Sequence, residues 1–169
     1  SAATIATAGV TAQQAARLGS DLTPMGAEKA GNAAGTIPAW TGGLTTPAKA
    51  GSPNFKSGGH HPDPFASEKP LYKVDATNMA RHAANLTAGH KALLNAYKGS
   101  YFINVYPSHR TAAFPQRIYD AVKANATSAR LSAEGNGVTG AIGGVPFPIP
   151  ASGVEVIWNH ILRYRAEIA

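Results

Sequence analysis

Phe114-Pro115-Gln116-Arg117-Ile118-Tyr119-Asp120-Ala121-Val122-Lys123-Ala124-Asn125-Ala126 is the stretch whose reading decides the fold. Proline has no amide hydrogen to lose and a φ already set for a first helical turn, so Pro115 reads as a helix start. Ile118, Val122 and Ala126 then recur at helical spacing in one apolar stripe, with Tyr119 and Ala129 beside it. The pattern predicts a helix over about 115–129.

Downstream, residues 135–150 are Gly-rich and then Pro-rich, ending Val145-Pro146-Phe147-Pro148-Ile149-Pro150. Alternating prolines favour an extended, polyproline-like course. Ser152-Gly153-Val154-Glu155 reads as a capping box, and Val154, Ile157, Trp158, Ile161 and Leu162 follow as a wide apolar stripe. A helix over about 153–165 is expected.

Upstream, Tyr101-Phe102-Ile103-Asn104-Val105-Tyr106 is rich in β-formers and stops at Pro107, which predicts a strand over about 101–106. Thr87 is placed to cap a helix over 88–98, in which Leu93, Leu94 and Tyr97 share a face. Thr77 is placed to cap a shorter helix over 78–84. Residues 31–70 carry glycine or proline every few positions, which disfavours regular elements, with Ile37, Trp40, Phe55 and Phe65 as anchors. Thr11 and Gln14 form a capping box for a helix over about 12–18. Residues 1–10 read as a flexible, small-residue segment of the kind left by signal-peptide cleavage. The expected fold class is α+β. It has mostly short helices, long Gly/Pro-rich loops and one or two strands, with residues 11–169 forming one domain or a domain fragment.

Composition narrows the function. Charged residues are 14% of the chain, below the roughly 25% of average soluble domains. Cysteine is absent, which excludes disulfides, thiolate metal sites, a cysteine nucleophile and a lipid-bearing cysteine in this sequence. The net charge of +6 is scattered, with Arg163 and Arg165 the tightest group, so no nucleic-acid partner is expected. No apolar run reaches the ~18 residues of a membrane-spanning helix.

Candidate chemistry is sparse. Gly135-Asn136-Gly137-Val138-Thr139-Gly140 matches a dinucleotide fingerprint in letters, but a helix precedes it where a strand belongs, so no cofactor is expected. His60, His61 and Asp63 are the nearest approach to a metal site, yet Pro62 stiffens the segment and no fourth ligand is indicated. Ser108 and His109 are adjacent, and sequence neighbours rarely form a hydrolase pair. No catalytic residue is assigned, and the chain is read as non-enzymatic. The candidate ligand or partner contacts are Trp40, Tyr106, Tyr119, Phe147, Trp158 and Tyr164, large amphipathic side chains that could line an apolar groove.

Three long stretches carry a resemblance. They are Leu22-Thr23-Pro24-Met25-Gly26-Ala27-Glu28-Lys29-Ala30-Gly31-Asn32 continuing to Trp40-Thr41-Gly42-Gly43-Leu44, then Tyr106-Pro107 through Ala126, then Gly135 through Pro150 into Ile157-Trp158-Asn159-His160-Ile161-Leu162-Arg163-Tyr164-Arg165. Together, over about residues 11–165, the chain resembles the Gram-negative envelope family called domain of unknown function 1329. The resemblance implies an exported protein whose full-length relatives have a β-rich, lipoprotein-carrier-like (Lol-type) fold around an apolar cavity. It also implies a periplasmic or outer-membrane address, with an outer-membrane protein and an efflux-type transporter as partners. The expectation is a non-enzymatic accessory that binds or helps transport hydrophobic compounds or lipids. The alternative is a structural subunit wrapping a partner in a larger envelope or extracellular assembly.

Overall fold

The computed structural model describes residues 9–46, 48–60 and 62–165. In chain order the elements are α1 (Ala12–Ala15), β1 (Tyr72–Val74), a 3₁₀ helix (Met79–Asn85), α2 (Ala88–Ala96), β2 (Ile103–Val105), α3 (Gln116–Ser128), β3 (Arg130–Leu131), a second 3₁₀ turn (Ala133–Gly135), β4 (Val138–Thr139) and α4 (Gly153–Leu162). The architecture is α+β. Among the described residues the strands make two separate two-stranded antiparallel sheets, β1 with β2 and β3 with β4, without closing a barrel. Between 31 and 70 the described residues form only turns and bends. Among the described residues no helix is long and apolar enough to cross a membrane. Contacts group the chain in two compact units, one from Ser1–Thr45 with Arg110–Ala169 and the other Thr46–His109.

The first unit is organised by α3. Its inner face is Ile118, Val122 and Ala126, as the stripe predicts, and Val122 is fully buried. Ala126 meets Ala15, Leu18 and Leu22, with Val10 and Ile149 packed against that cluster. α1 has the expected box: Thr11 Oγ1 accepts from Gln14 N, and Gln14 Oε1 accepts from Thr11 N. It ends at Ala15 instead of 18 because Arg17 N and Leu18 N bond three residues back, tightening the turn, and Leu18 then bridges to Leu22.

The other side of α3 holds an irregular segment. Gly144, Pro146, Phe147 and Pro148 are buried although none lies in a helix or strand. Buried backbone without a ladder needs other hydrogen-bond partners. Asn125, fully buried on α3, holds the chain where it enters this segment: its Nδ2 donates to the carbonyls of Gly143 (2.7 Å) and Val145 (3.2 Å), and its Oδ1 accepts from Ile142 N (2.9 Å). The prolines help by subtraction, since each removes one N–H that would need a partner. Close packing then demands small residues. A Cβ at Gly144 would stand 2.6 Å from the Val122 methyl, and one at Gly26, where φ is +94°, would overlap the Pro148 carbonyl at 1.7 Å.

Glycines 135 and 137 lie in the turn between β3 and β4, which Ser132 N closes on Gly137 O (2.8 Å), and Gly140 follows β4. This is a strand–turn–strand, so the strand-to-helix geometry of a dinucleotide fingerprint is absent here.

The second unit pairs Tyr72 with Val105 and Val74 with Ile103. The predicted strand is shorter than 101–106, and its partner β1 was not legible. Val74 and Leu94 are the buried apolar residues, while Leu93 and Tyr97, expected to share the Leu94 face, are exposed. Thr87 caps α2 through His90 N as expected, but α2 stops at Ala96. The helix expected over 78–84 is a 3₁₀ helix over 79–85. Thr77 does not cap it, because its hydroxyl bonds the Asp75 carboxylate instead (2.6 Å).

Replacing Asn125 by Ala leaves the Ile142 amide and the Gly143 and Val145 carbonyls without these partners, so stability should fall by roughly 1–3 kcal/mol. Asn125→Leu should fare no better, since volume is not what is lost. Urea unfolding followed by the fluorescence of Trp40 and Trp158 checks both; a loss under about 1 kcal/mol would show the amide to be dispensable.

Candidate functional site

α4 is positioned by polar groups. Ser152 Oγ accepts from Glu155 N (3.3 Å), and the Glu155 carboxylate reaches back to Ala151 N, one residue beyond the expected N-cap amide. Trp158 Nε1 donates to the carbonyl of Gly135 (2.9 Å). Asn159 grips Phe147 twice: its Oδ1 accepts from Phe147 N (2.8 Å) and its Nδ2 donates to Phe147 O (2.6 Å). These bonds turn Glu155, Trp158 and Asn159 inward, each half-buried. Of the apolar stripe read in the sequence, Trp158 alone is on the inner side; Val154, Ile157 and Ile161 are 42%, 59% and 52% exposed. A directional bond to a carbonyl fixes the roll of a helix, and apolar contact has no comparable direction.

Beside the start of α4 lies an open cleft of about 360 Å³, floored by Val10, Ala126, Phe147 and Ile149 and rimmed by Gln14 and Glu155. That volume is at the lower end of the roughly 300–1,000 Å³ of small-molecule sites. A second cleft of about 280 Å³ is lined by Gln116, Asp120 and Lys123 beside Tyr119.

The six aromatic contacts expected from the sequence do not converge. Phe147 is buried under the larger cleft, and Tyr119 borders the smaller one. Tyr119 accepts the Phe114 amide on its hydroxyl (2.8 Å) and, like Tyr164, meets the Phe114 ring edge-on at 6.2 Å; the Arg117 guanidinium sits 5.5 Å from the Tyr164 ring. Trp40 donates Nε1 to the carbonyl of Ala112 (2.9 Å), and Trp158 is committed to Gly135. Tyr106 is 48% exposed and belongs to the second unit. No single groove takes all six.

Several polar residues that sequence reasoning passed over organise backbone. Arg110 donates to the carbonyls of Glu28 (2.6 Å), Lys29, Ala30 and Pro38. His109, adjacent to Ser108 in sequence and not expected to pair with it, faces both Glu68 oxygens (2.8 and 3.0 Å) and stacks on Phe65 at 3.7 Å. Near the expected metal candidates, Asp63 accepts the Phe65 amide and His60 is exposed, whereas His61 lies outside the described residues. Among the described residues no three His, Asp or Glu side chains cluster. Sequence spacing had no signal for these contacts, which span tens of residues.

Asp75 is the most perturbed acid. The Thr77 hydroxyl and amide both donate to Oδ1, and Lys73 Nζ lies 3.2 Å from Oδ2, holding the carboxyl at about 2. Donors to the charged form favour ionisation.

The chain matches the family described as Protein of unknown function (DUF1329) over residues 73–169. It is 49% identical over 163 residues to an uncharacterized protein of Pseudomonas aeruginosa, covering 96% of this chain and 35% of the relative. The chain thus spans about a third of the length of that curated relative. No solved structure matches it.

Because the Asp75 carboxyl is lowered on folding, its stabilising effect is complete above the ordinary value of 3.8 and is lost as pH falls through about 2. A carboxyl ¹³C titration should place the Asp75 midpoint near 2 and move it upward in Thr77→Ala; an unmoved midpoint would assign the shift elsewhere.

Proposed function

The chain belongs to the DUF1329 family, and on that premise we propose that it is a non-enzymatic accessory at the periplasm or outer membrane that binds or helps to move hydrophobic compounds or lipids. The observation that carries this reading is the cleft floored by Val10, Ala126, Phe147 and Ile149. Its floor offers hydrocarbon contact, and Gln14 and Glu155 stand where a polar end of an amphipathic ligand would rest. Apolar floors with a few polar rim groups are the ordinary chemistry of such sites. The partners that go with this role are an outer-membrane protein and an efflux-type transporter.

A second reading, a structural subunit that wraps a partner, draws on the second unit. There Leu71, Tyr97, Phe102 and Tyr106 are 65%, 57%, 49% and 48% exposed. Exposed aromatic side chains are the type enriched at protein interfaces. A tightly associated subunit recovered with the protein from its own envelope would support this reading over the first.

Delipidated protein should take up a fluorescent fatty acid saturably. Ile149→Glu, which puts a charge on the cleft floor, should weaken uptake at least about tenfold, or about 1.4 kcal/mol. Absence of saturable uptake by the unaltered chain, or equal uptake by the variant, would exclude the cleft as the site.

A further inference from the structure

We propose that the outward stripe of α4, Val154, Ile157 and Ile161, is the docking face for the part of longer DUF1329 chains that lies outside the stretch matched here. The proposal is independent of the ligand reading, because it uses the opposite side of α4 from the cleft residue Glu155.

The three residues are spaced three and four apart, so they stand in one row along the helix. Each is at least 42% exposed. The helix cannot roll to bury them. Trp158 is bonded to Gly135 O and Asn159 to both polar groups of Phe147, and breaking those bonds would strand buried backbone. The row is therefore held outward by the fold itself.

The occupant follows from charge and from length. Surface-bound membrane helices carry Lys or Arg on the polar face, and α4 (Gly153–Leu162) contains neither. An apolar protein surface fits the row better than a lipid headgroup layer. The Pseudomonas aeruginosa relative keeps 49% identity across 96% of this chain, yet that match is 35% of its own length. The remaining two thirds is tethered to the row by the same polypeptide. A tethered partner acts at an effective concentration that a free one rarely reaches, which favours it over a second copy.

The absence of cysteine from the sequence supplies a clean test. Ile157→Cys and Ile161→Cys each install a single thiol on the row, and Val156→Cys, at a position 53% exposed and off the row, serves as control. Reaction with a thiol reagent is followed in this chain and, with substitutions at the aligned positions, in the longer relative freed of any other cysteine. The row thiols should react quickly in this chain and at least about tenfold more slowly in the relative, with the control fast in both. Equal rates for the row in the two proteins would overturn the proposal. So would row thiols that are slow in this chain and become fast on dilution, which would make a second copy the occupant. Neither result bears on fatty-acid uptake at the cleft, so the two readings fail separately.

Discussion

A segment of chain that runs over the core without belonging to a helix or sheet must have its amides and carbonyls met by something else, and in this fold two asparagines meet several of them. Asn125 on α3 takes the polar groups of residues 142–145, and Asn159 on α4 takes both of Phe147. The side-chain amide is suited to this because it carries donors and an acceptor together, as a neighbouring strand would. Both helices are thereby joined through the segment between them. The net gain from each bond is about 1 kcal/mol, but an orphaned buried group costs about 1–3 kcal/mol, so the arrangement is protected chiefly by the cost of losing it.

What the sequence made legible was local. The α3 stripe and the Thr11 and Thr87 caps depend on residues within one or two turns of each other, and all appear as read. What it hid was long-range. β1 is three residues whose only buried member is Val74, so it has no alternating pattern to find. Asn125 looks like an ordinary mid-helix polar residue until the loop it serves, about 20 positions later, is in place. Thr77 had two possible bonds within reach, a helix amide and the Asp75 carboxylate, and the charged acceptor took it. The aromatic set was chosen by chemical type, and type does not say which rings converge. Phe147 and Tyr119 border clefts, while Trp40 and Trp158 hold backbone carbonyls.

Most of the distinctive polar side chains are committed to the fold itself. Arg110 is directed to four carbonyls, His109 to Glu68, and both indoles to main-chain oxygens. These groups could have formed a reactive or ion-binding centre, and here they stabilise loops that lack secondary structure. The cleft beside α4 and the outward row on that helix are among the features not consumed by the fold's own backbone. A chain with little charge and much glycine and proline uses its few polar groups internally and presents hydrocarbon outward.

The first unit is discontinuous, and its two portions are stitched by Leu44 N on Thr111 O (2.9 Å) and by Arg110 on the carbonyls from Glu28 to Pro38. On a ribosome this sets a schedule. The amino-terminal portion emerges with its carbonyls and the Leu18–Leu22 cluster lacking their partners, and it waits while all of residues 46–109 are made. α3 and the proline segment then arrive to close over it. Throughout that interval the nascent chain offers unpaired backbone and apolar side chains to its surroundings, which makes the early chain, more than the finished one, a natural client for holding chaperones.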